Sequence, residues 1–97
     1  MTQKLPAVYI MANKRNGTIY TGVTANIPAR VWQHKNNAVT GFTKKHRLHL
    51  LVYYEMHQDI ISAATREMQI KKWLRKWKLE LIENANPYWR DLYEDIL

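Results

Sequence analysis

The sequence predicts an α+β fold in which a small antiparallel three-stranded sheet is flanked by helices. Two observations predict it: three short β-prone runs, and longer segments of helical periodicity placed between and after them. The order is ββαβα, followed by a C-terminal helix. A chain of 97 residues can bury one modest core but not two. We therefore expect a single domain over 1–97, with its core at about 5–82 and a helical tail at 83–97.

The first two strands are expected to form a hairpin. β-prone runs at 7–12 and 18–23 flank an Asn-Gly pair, which is a strong local hairpin signal. With a tight two-residue turn, Tyr9 and Tyr20 share one face but lie roughly 13 Å apart along the strand. A wider loop of the same parity keeps the shared face and brings the two rings closer. The sequence leaves this register open.

A first helix is predicted from Asn26, as N-cap, to about Asn36, with Pro28 in its first turn. Arg30 and His34 are four residues apart and therefore share one face of this helix. Another face is expected to pack on the sheet, through Ile27, Val31 and Ala38.

The next strand is predicted at 48–55, after a basic loop that contains Gly41. Its near-continuous apolar character indicates a central strand buried on both faces. Asp59 or Ser62 can then cap a second helix that runs to about Lys78. An apolar stripe of this helix is expected to face the core, formed by Ala63, Ile70, Leu74 and Trp77.

Glu67 is out of place on this second helix, because it falls inside or at the edge of the apolar stripe. The opposite side of the helix is basic and is expected to be exposed, with Lys72, Arg75 and Lys76. After a break at 86–87, a short helix is predicted over about 88–96, and Trp89 and Tyr93 are expected to be exposed there.

The charge distribution indicates a polyanionic partner. The net charge is +7, and residues 1–54 contain no Asp or Glu. The electropositive field therefore belongs to the N-terminal half, and nucleic acid is the expected polyanion. The chain has no cysteine, which excludes disulfides and thiolate chemistry. It also lacks a long apolar run and a secretory signal, so we expect a cytoplasmic protein without membrane contact.

Five segments stand out in order along the chain: VYI at 8–10, YTG at 20–22, RVWQH at 30–34, REMQIKKW at 66–73 and NPYWRDLY at 86–93. Together they resemble the GIY-YIG endonuclease superfamily, and in particular its small stand-alone bacterial members. The resemblance spans nearly the whole chain and depends on order and spacing, since each segment alone is a weak signal. Val8 and Thr21 depart from the two name motifs, whereas both tyrosines and Gly22 are present.

The resemblance implies a metal-dependent endonuclease that hydrolyses DNA, with a site built from Tyr9, Tyr20, Arg30, His34 and Glu67. The guanidinium of Arg30 can bind two phosphate oxygens, and His34 can hydrogen-bond or relay a proton near neutral pH. Tyr9 is either the general base or a group that orients the attacking water, because a phenol with its usual pKa of about 10 is a poor base. Tyr20 can hydrogen-bond the phosphate or the water.

One divalent ion, Mg²⁺ or Mn²⁺, is expected at Glu67. A two-metal site needs several carboxylates, whereas no acid precedes Glu55. The alternative for Glu67 is a structural ion pair with an arginine. Asn84 and Asn86 compete for an auxiliary role that the resemblance implies in this part of the chain.

DNA is the expected partner, in DNA repair or recombination, with branched or otherwise structured DNA, and also RNA, left open. The residues expected to contact its phosphates are Lys35, Lys44, Lys45, Arg47, Lys71 and Lys72. Two other classes of function compete with the nuclease. One is a nucleic-acid-binding module with little turnover unless a partner is present. The other is an interaction protein that uses the region of Trp89 and Tyr93.

Overall fold

The computed structural model describes residues 5–97, and its strands and helices confirm the predicted α+β class. The strands are β1 (Ala7–Ala12), β2 (Ile19–Thr24) and β3 (Leu50–Met56). The helices are α1 (Ile27–Lys35), α2 (Phe42–Lys45), α3 (Ile60–Lys72) and α4 (Arg75–Ala85), followed by a 3₁₀ turn at Tyr93–Ile96. No helix in this described range is long and apolar enough to cross a membrane.

The central strand is β1, because the sheet order is β2-β1-β3 with both pairings antiparallel. The expectation of a central strand at 48–55 is wrong, since β3 lies at an edge. Leu51, Val52 and Tyr53 are nevertheless buried. An apolar run shows that other layers cover a strand, and it does not show how many strands pair with it.

The hairpin uses the wider loop, at 13–18, rather than the tight turn. Tyr9 pairs with Gly22, and the partner of Tyr20 lies only two residues along β1 from Tyr9. The loop turns through Asn16, whose φ of 56° is left-handed. The wider loop keeps the predicted alternation of side chains between the faces of the hairpin. The two tyrosines therefore share a face and lie closer than a tight turn would place them.

β1 divides its side chains between two layers, as the alternation of a strand requires. One layer packs α1 against the sheet and contains Ala7, Tyr9, Met11, Ile27, Val31, Leu48 and Leu51. The other layer packs α3 and α4 against the opposite face and contains Val8, Ile10, Ala12, Val52, Tyr53, Ala63, Ile70, Ile82 and Trp89. The expectation that Ala38 faces the sheet is wrong, because α1 ends three residues earlier and Ala38 is exposed.

Both longer helices that carry candidate site residues begin at a side-chain cap. The Asn26 side chain accepts a hydrogen bond from the Ala29 amide at 3.3 Å, as predicted. Asp59 accepts from the Ser62 amide at 2.8 Å, which decides between the two candidate caps of α3. The basic loop after α1 also contains the short helix α2, which the sequence did not predict.

The predicted second helix is interrupted and forms α3 and α4. Trp73 and Leu74 have extended backbone at the interruption, with ψ of 154° and 148°. The expected core stripe is confirmed for Ala63 and Ile70. It is wrong for Leu74 and Trp77, which are 65% and 51% exposed, because the interruption resets the helical phase.

The C-terminal tail forms no helix over 88–96 beyond the 3₁₀ turn, so that prediction is wrong. The tail instead bonds to β3: the Leu51 amide donates to Asp91 Oδ1 at 3.1 Å, and the Leu51 carbonyl accepts from the Leu92 amide at 2.7 Å. Trp89 is only 3% exposed, which overturns its expected role in an exposed contact surface. The tail therefore covers the free edge of β3, which would otherwise present unpaired backbone groups.

Candidate active site

Tyr9 and His34 form the hydrogen-bonded centre of the site. Tyr9 Oη lies 2.8 Å from His34 Nε2, and the two residues are 1% and 2% exposed. The other ring nitrogen, His34 Nδ1, lies 3.1 Å from Oγ1 of Thr43. Strand β1, helix α1 and helix α2 thus each contribute one member of a buried chain of polar groups.

The pKa shifts of Tyr9 and His34 have opposite directions, and both favour the neutral form of the side chain. Burial, together with the charge of Arg30, lowers the pKa of His34 to about 4. Burial raises the pKa of Tyr9 to about 12, although Arg30 acts in the opposite direction. At neutral pH a protonated phenol therefore donates to a neutral imidazole. The Nδ1–H of His34 then donates to Thr43.

Tyr20 is the third ring of the cluster. Its centroid lies 6.4 Å from that of Tyr9 and 5.9 Å from that of His34. Gly22 allows this approach, because a Cβ at that position would lie 2.5 Å from Cζ and Oη of Tyr9. It would also lie 2.9 Å from Tyr20, so a larger residue would force the two tyrosines to move.

Arg30 lies one turn before His34 on α1, as predicted. Its Nη1 donates to Gln33 Oε1 at 3.2 Å, which holds the guanidinium on the face that carries His34. Among residues 5–97, no carboxylate forms an ion pair with Arg30. The full charge of the side chain is therefore available to an anion.

Glu67 is a largely buried carboxylate on α3. Its side chain is 14% exposed, and Oε2 lies 3.0 Å from Nζ of Lys71, one helical turn later. The same ammonium lies 5.6 Å from the ring centroid of Tyr20. After burial, the main cause, the charge of Glu67 also contributes to the raised pKa of Tyr9. Lys71 thus connects the carboxylate to the ring of Tyr20, and the ion-pair partner of Glu67 is a lysine rather than the arginine considered above.

The donor set fits an ion held by one protein carboxylate. No group of three or more His, Cys, Asp or Glu side chains that could hold a metal occurs in the described part of the chain. Mg²⁺ prefers oxygen ligands, keeps several waters and often uses only one or two carboxylates together with substrate phosphates. Glu67 satisfies that requirement.

Comparison with known proteins agrees with this arrangement. Residues 5–80 match the family described as the GIY-YIG catalytic domain. The chain belongs to the GIY-YIG family. The UPF0213 protein SH2523 of Staphylococcus haemolyticus is 41% identical over 76 residues, which are 78% of this chain and 92% of that protein. The UPF0213 protein SAV0488 of Staphylococcus aureus is 38% identical over 68 residues, 70% of this chain and 83% of that protein. No solved structure matches the chain.

A GIY-YIG domain implies nuclease activity on DNA, so the accessible cations of this one matter. Of the cations predicted to contact DNA, Lys44, Lys45, Arg47, Lys71 and Lys72 are exposed to solvent. Lys35 is different, because its ammonium pairs with Asp91 and donates to the His49 carbonyl at 2.9 Å. A phosphate would have to compete with Asp91 for Lys35.

Asn84 and Asn86 occupy different environments in this GIY-YIG domain. The Asn86 side chain is buried, and its Nδ2 donates to the carbonyls of Val52 and Arg90 at 3.0 and 2.8 Å. These bonds attach the tail to β3. Asn84 is exposed on α4 and lines an open groove together with Trp77. Neither contact involves the Tyr9–His34 pair.

Sequence reasoning missed Thr43, which completes the hydrogen bonds of His34. The two residues are nine positions apart and belong to different helices, so no helical or strand periodicity connects them. The only available signal was the FTKKH segment, where the basic residues drew attention and the threonine did not. Gln33, the partner of Arg30, was also missed, although its i, i+3 spacing on α1 was a signal that could have found it.

Proposed function

We propose that this GIY-YIG protein is a metal-dependent endonuclease that hydrolyses DNA phosphodiester bonds at the site of Tyr9, Tyr20, Arg30, His34 and Glu67. The observation that carries the proposal is the Tyr9–His34 hydrogen bond at 2.8 Å, which lies within the field of Arg30 and Glu67. The proposal is supported by this neighbourhood of a phenol, a guanidinium and a carboxylate, which can supply water activation, phosphate binding and metal binding. These are the components that phosphodiester hydrolysis requires.

Tyr9 is suited to orient and deprotonate the attacking water. Its own proton points to His34 Nε2, so a lone pair of the phenol oxygen is free to accept from water. As the water oxygen bonds to phosphorus, its proton passes to Tyr9 Oη, and the phenol proton passes to His34 Nε2. This relay needs no standing phenolate, which the pKa of about 12 disfavours.

The substrate itself improves His34 as the acceptor in this relay. The charge of Arg30 is one cause of the low pKa of His34. A DNA phosphate bound by Arg30 offsets that charge, so the pKa of His34 rises when substrate is present. Bound phosphate thus makes His34 a better proton acceptor than it is in the free protein, while burial, the larger cause of its low pKa, remains.

Arg30 binds two phosphoryl oxygens and stabilises the charge that develops as the P–O bond breaks. Tyr20 hydrogen-bonds the phosphate from the adjacent strand. Glu67 holds one Mg²⁺ or Mn²⁺, which when bound supplies Lewis-acid polarisation of the phosphoryl oxygens. Lys71, which pairs with Glu67, would contact the DNA backbone together with Lys44, Lys45, Arg47 and Lys72.

The deciding test measures cleavage of single-stranded, nicked, branched and duplex DNA, and of RNA for comparison. Each substrate is tested in Mg²⁺, in Mn²⁺ and in EDTA. Glu67→Gln should reduce metal-dependent cleavage by at least about 100-fold, while the circular dichroism spectrum and melting temperature stay near those of the wild type. Glu94→Gln, at an exposed carboxylate of the tail, is the matched control and should cleave normally.

Unchanged cleavage by the Glu67→Gln protein would exclude the proposed metal ligand. Salt-dependent DNA binding without cleavage of any substrate would instead support the nucleic-acid-binding module, in which the scaffold binds DNA but needs a partner for turnover.

A further inference from the structure

Phe42 is an exposed aromatic residue beside the candidate active site. It begins α2, its side chain is 47% exposed, and its ring centroid lies 6.4 Å from that of Tyr20. The His46 ring supports it from one side at 4.4 Å. The following residue, Thr43, is buried and bonds to His34. The position of Phe42 is therefore fixed relative to the Tyr9–His34 pair.

The surroundings of Phe42 are basic. Lys44, Lys45 and Arg47 are exposed on α2 and immediately after it. The sequence contains no acid before Glu55, so no carboxylate on this half of the chain competes for these cations. An exposed ring among phosphate-binding cations is the arrangement that proteins use to stack nucleobases while they neutralise the backbone.

We propose that Phe42 stacks on an unpaired base next to the scissile phosphate, so that the substrate is DNA with unpaired bases at the point of cleavage. This inference rests on the proposed function, because Tyr9 and Arg30 define where the scissile phosphate lies. In an intact duplex, each base is covered by its neighbours in the stack. Only an unpaired or displaced base can present a face to Phe42.

Single strands and the unpaired arms of a branch share this chemistry, and affinity measurements can separate them. Binding is measured by fluorescence anisotropy in EDTA, in the Glu67→Gln background, with a labelled oligo-dT, a forked duplex and a blunt duplex. Phe42→Ala should weaken binding of the oligo-dT or the fork by roughly 5- to 150-fold, the usual range for one stacked base. Binding to the blunt duplex should stay near its starting value. The substrate that loses more identifies the source of the base.

Three control variants and one modified oligonucleotide isolate the contribution of the Phe42 ring. Phe42→Trp keeps an aromatic face and should retain binding, whereas Phe42→Leu keeps apolar volume without that face and should lose it. Trp77→Ala removes a similarly exposed aromatic residue, 51% exposed, from the helix layer on the opposite side of the sheet. It should leave the affinity for unpaired DNA unchanged. In an oligonucleotide whose contacted base is abasic, Phe42→Ala should have no further effect.

Equal losses on paired and unpaired DNA, or no loss on either, would overturn the stacking role. If the wild-type protein cleaves DNA and Phe42→Ala binds unpaired DNA as well as its Glu67→Gln parent does, the stacking inference is refuted and the proposed nuclease stands. If the wild-type protein cleaves no substrate but Phe42→Ala selectively weakens binding of unpaired DNA, the proposed nuclease is refuted and the stacking site stands.

Discussion

The two faces of the central strand differ in what their buried side chains do. On one face Tyr9 is 1% exposed and bonds to His34, which bonds in turn to Thr43. On the other face Val8 and Ile10 are fully buried in apolar clusters beneath α3 and α4. Buried polar side chains are in most cases hydrogen-bonded, as Tyr9 and His34 are. One face therefore fixes the strand by packing, and the other also holds a buried, hydrogen-bonded phenol at a defined position.

The largest expected effect is on the polar face. Tyr9→Phe should lower the cleavage rate about 100- to 10,000-fold, because the water loses its proton acceptor. Loss of the hydroxyl also leaves His34 Nε2 without its donor, which should lower the free energy of unfolding by about 1–3 kcal/mol. Rates are measured below the unfolding transition, with Tyr88→Phe at an 82% exposed tyrosine as control. Cleavage near the control rate would remove Tyr9 from the proton path.

Removal of a packed side chain on the apolar face should lower the free energy of unfolding but leave the cleavage rate nearly unchanged. Ile10→Ala should lower the free energy of unfolding by about 2–5 kcal/mol, measured by urea denaturation, because it leaves a cavity in a fully buried layer. The cleavage rate of the folded protein should stay near the wild-type value, since Ile10 points away from Tyr9. Ile10→Val is the milder variant if the alanine protein unfolds. A rate loss as large as that of Tyr9→Phe would break the division between the faces.

The smallest expected effect is a pH dependence of stability that originates at His34. Its pKa falls from 6.5 to about 4 on folding. Between these values the unfolded chain binds a proton that the folded protein does not. The contribution of His34 to the free energy of unfolding is therefore fully present above pH 6.5. It is lost as the pH falls toward 4, by up to about 3 kcal/mol.

Urea denaturation between neutral pH and pH 4 measures this loss. His34→Gln can still accept from Tyr9 and donate to Thr43, but it does not titrate, so its stability should depend less on pH. Groups common to both proteins cancel in the difference. Identical slopes in the two proteins would show that His34 is not the source.

The features that the sequence predicted correctly depend on contacts within a few residues. The Asn26 cap, the shared helical face of Arg30 and His34, and the hairpin that joins the two tyrosine strands are of this kind. For the cap of α3 the sequence offered Asp59 and Ser62, and the structure has Asp59. Caps, helical periodicity and strand alternation act over one or two turns, so composition and spacing are enough to predict them. Helical periodicity also predicted that Glu67 lies at the margin of an apolar stripe.

The tertiary structure decided what depends on distant partners. It selected the wider hairpin register that brings the rings of Tyr9 and Tyr20 to 6.4 Å. It placed Thr43 against His34, and it covered the edge of β3 with the tail that holds Asp91 and Trp89. By itself, the sequence determined the three strand segments, the Asn26 cap and the residue types of the candidate site. Register, edge coverage and the protonation of Tyr9 and His34 required the fold, because burial and long-range hydrogen bonds exist only once separate segments have packed together.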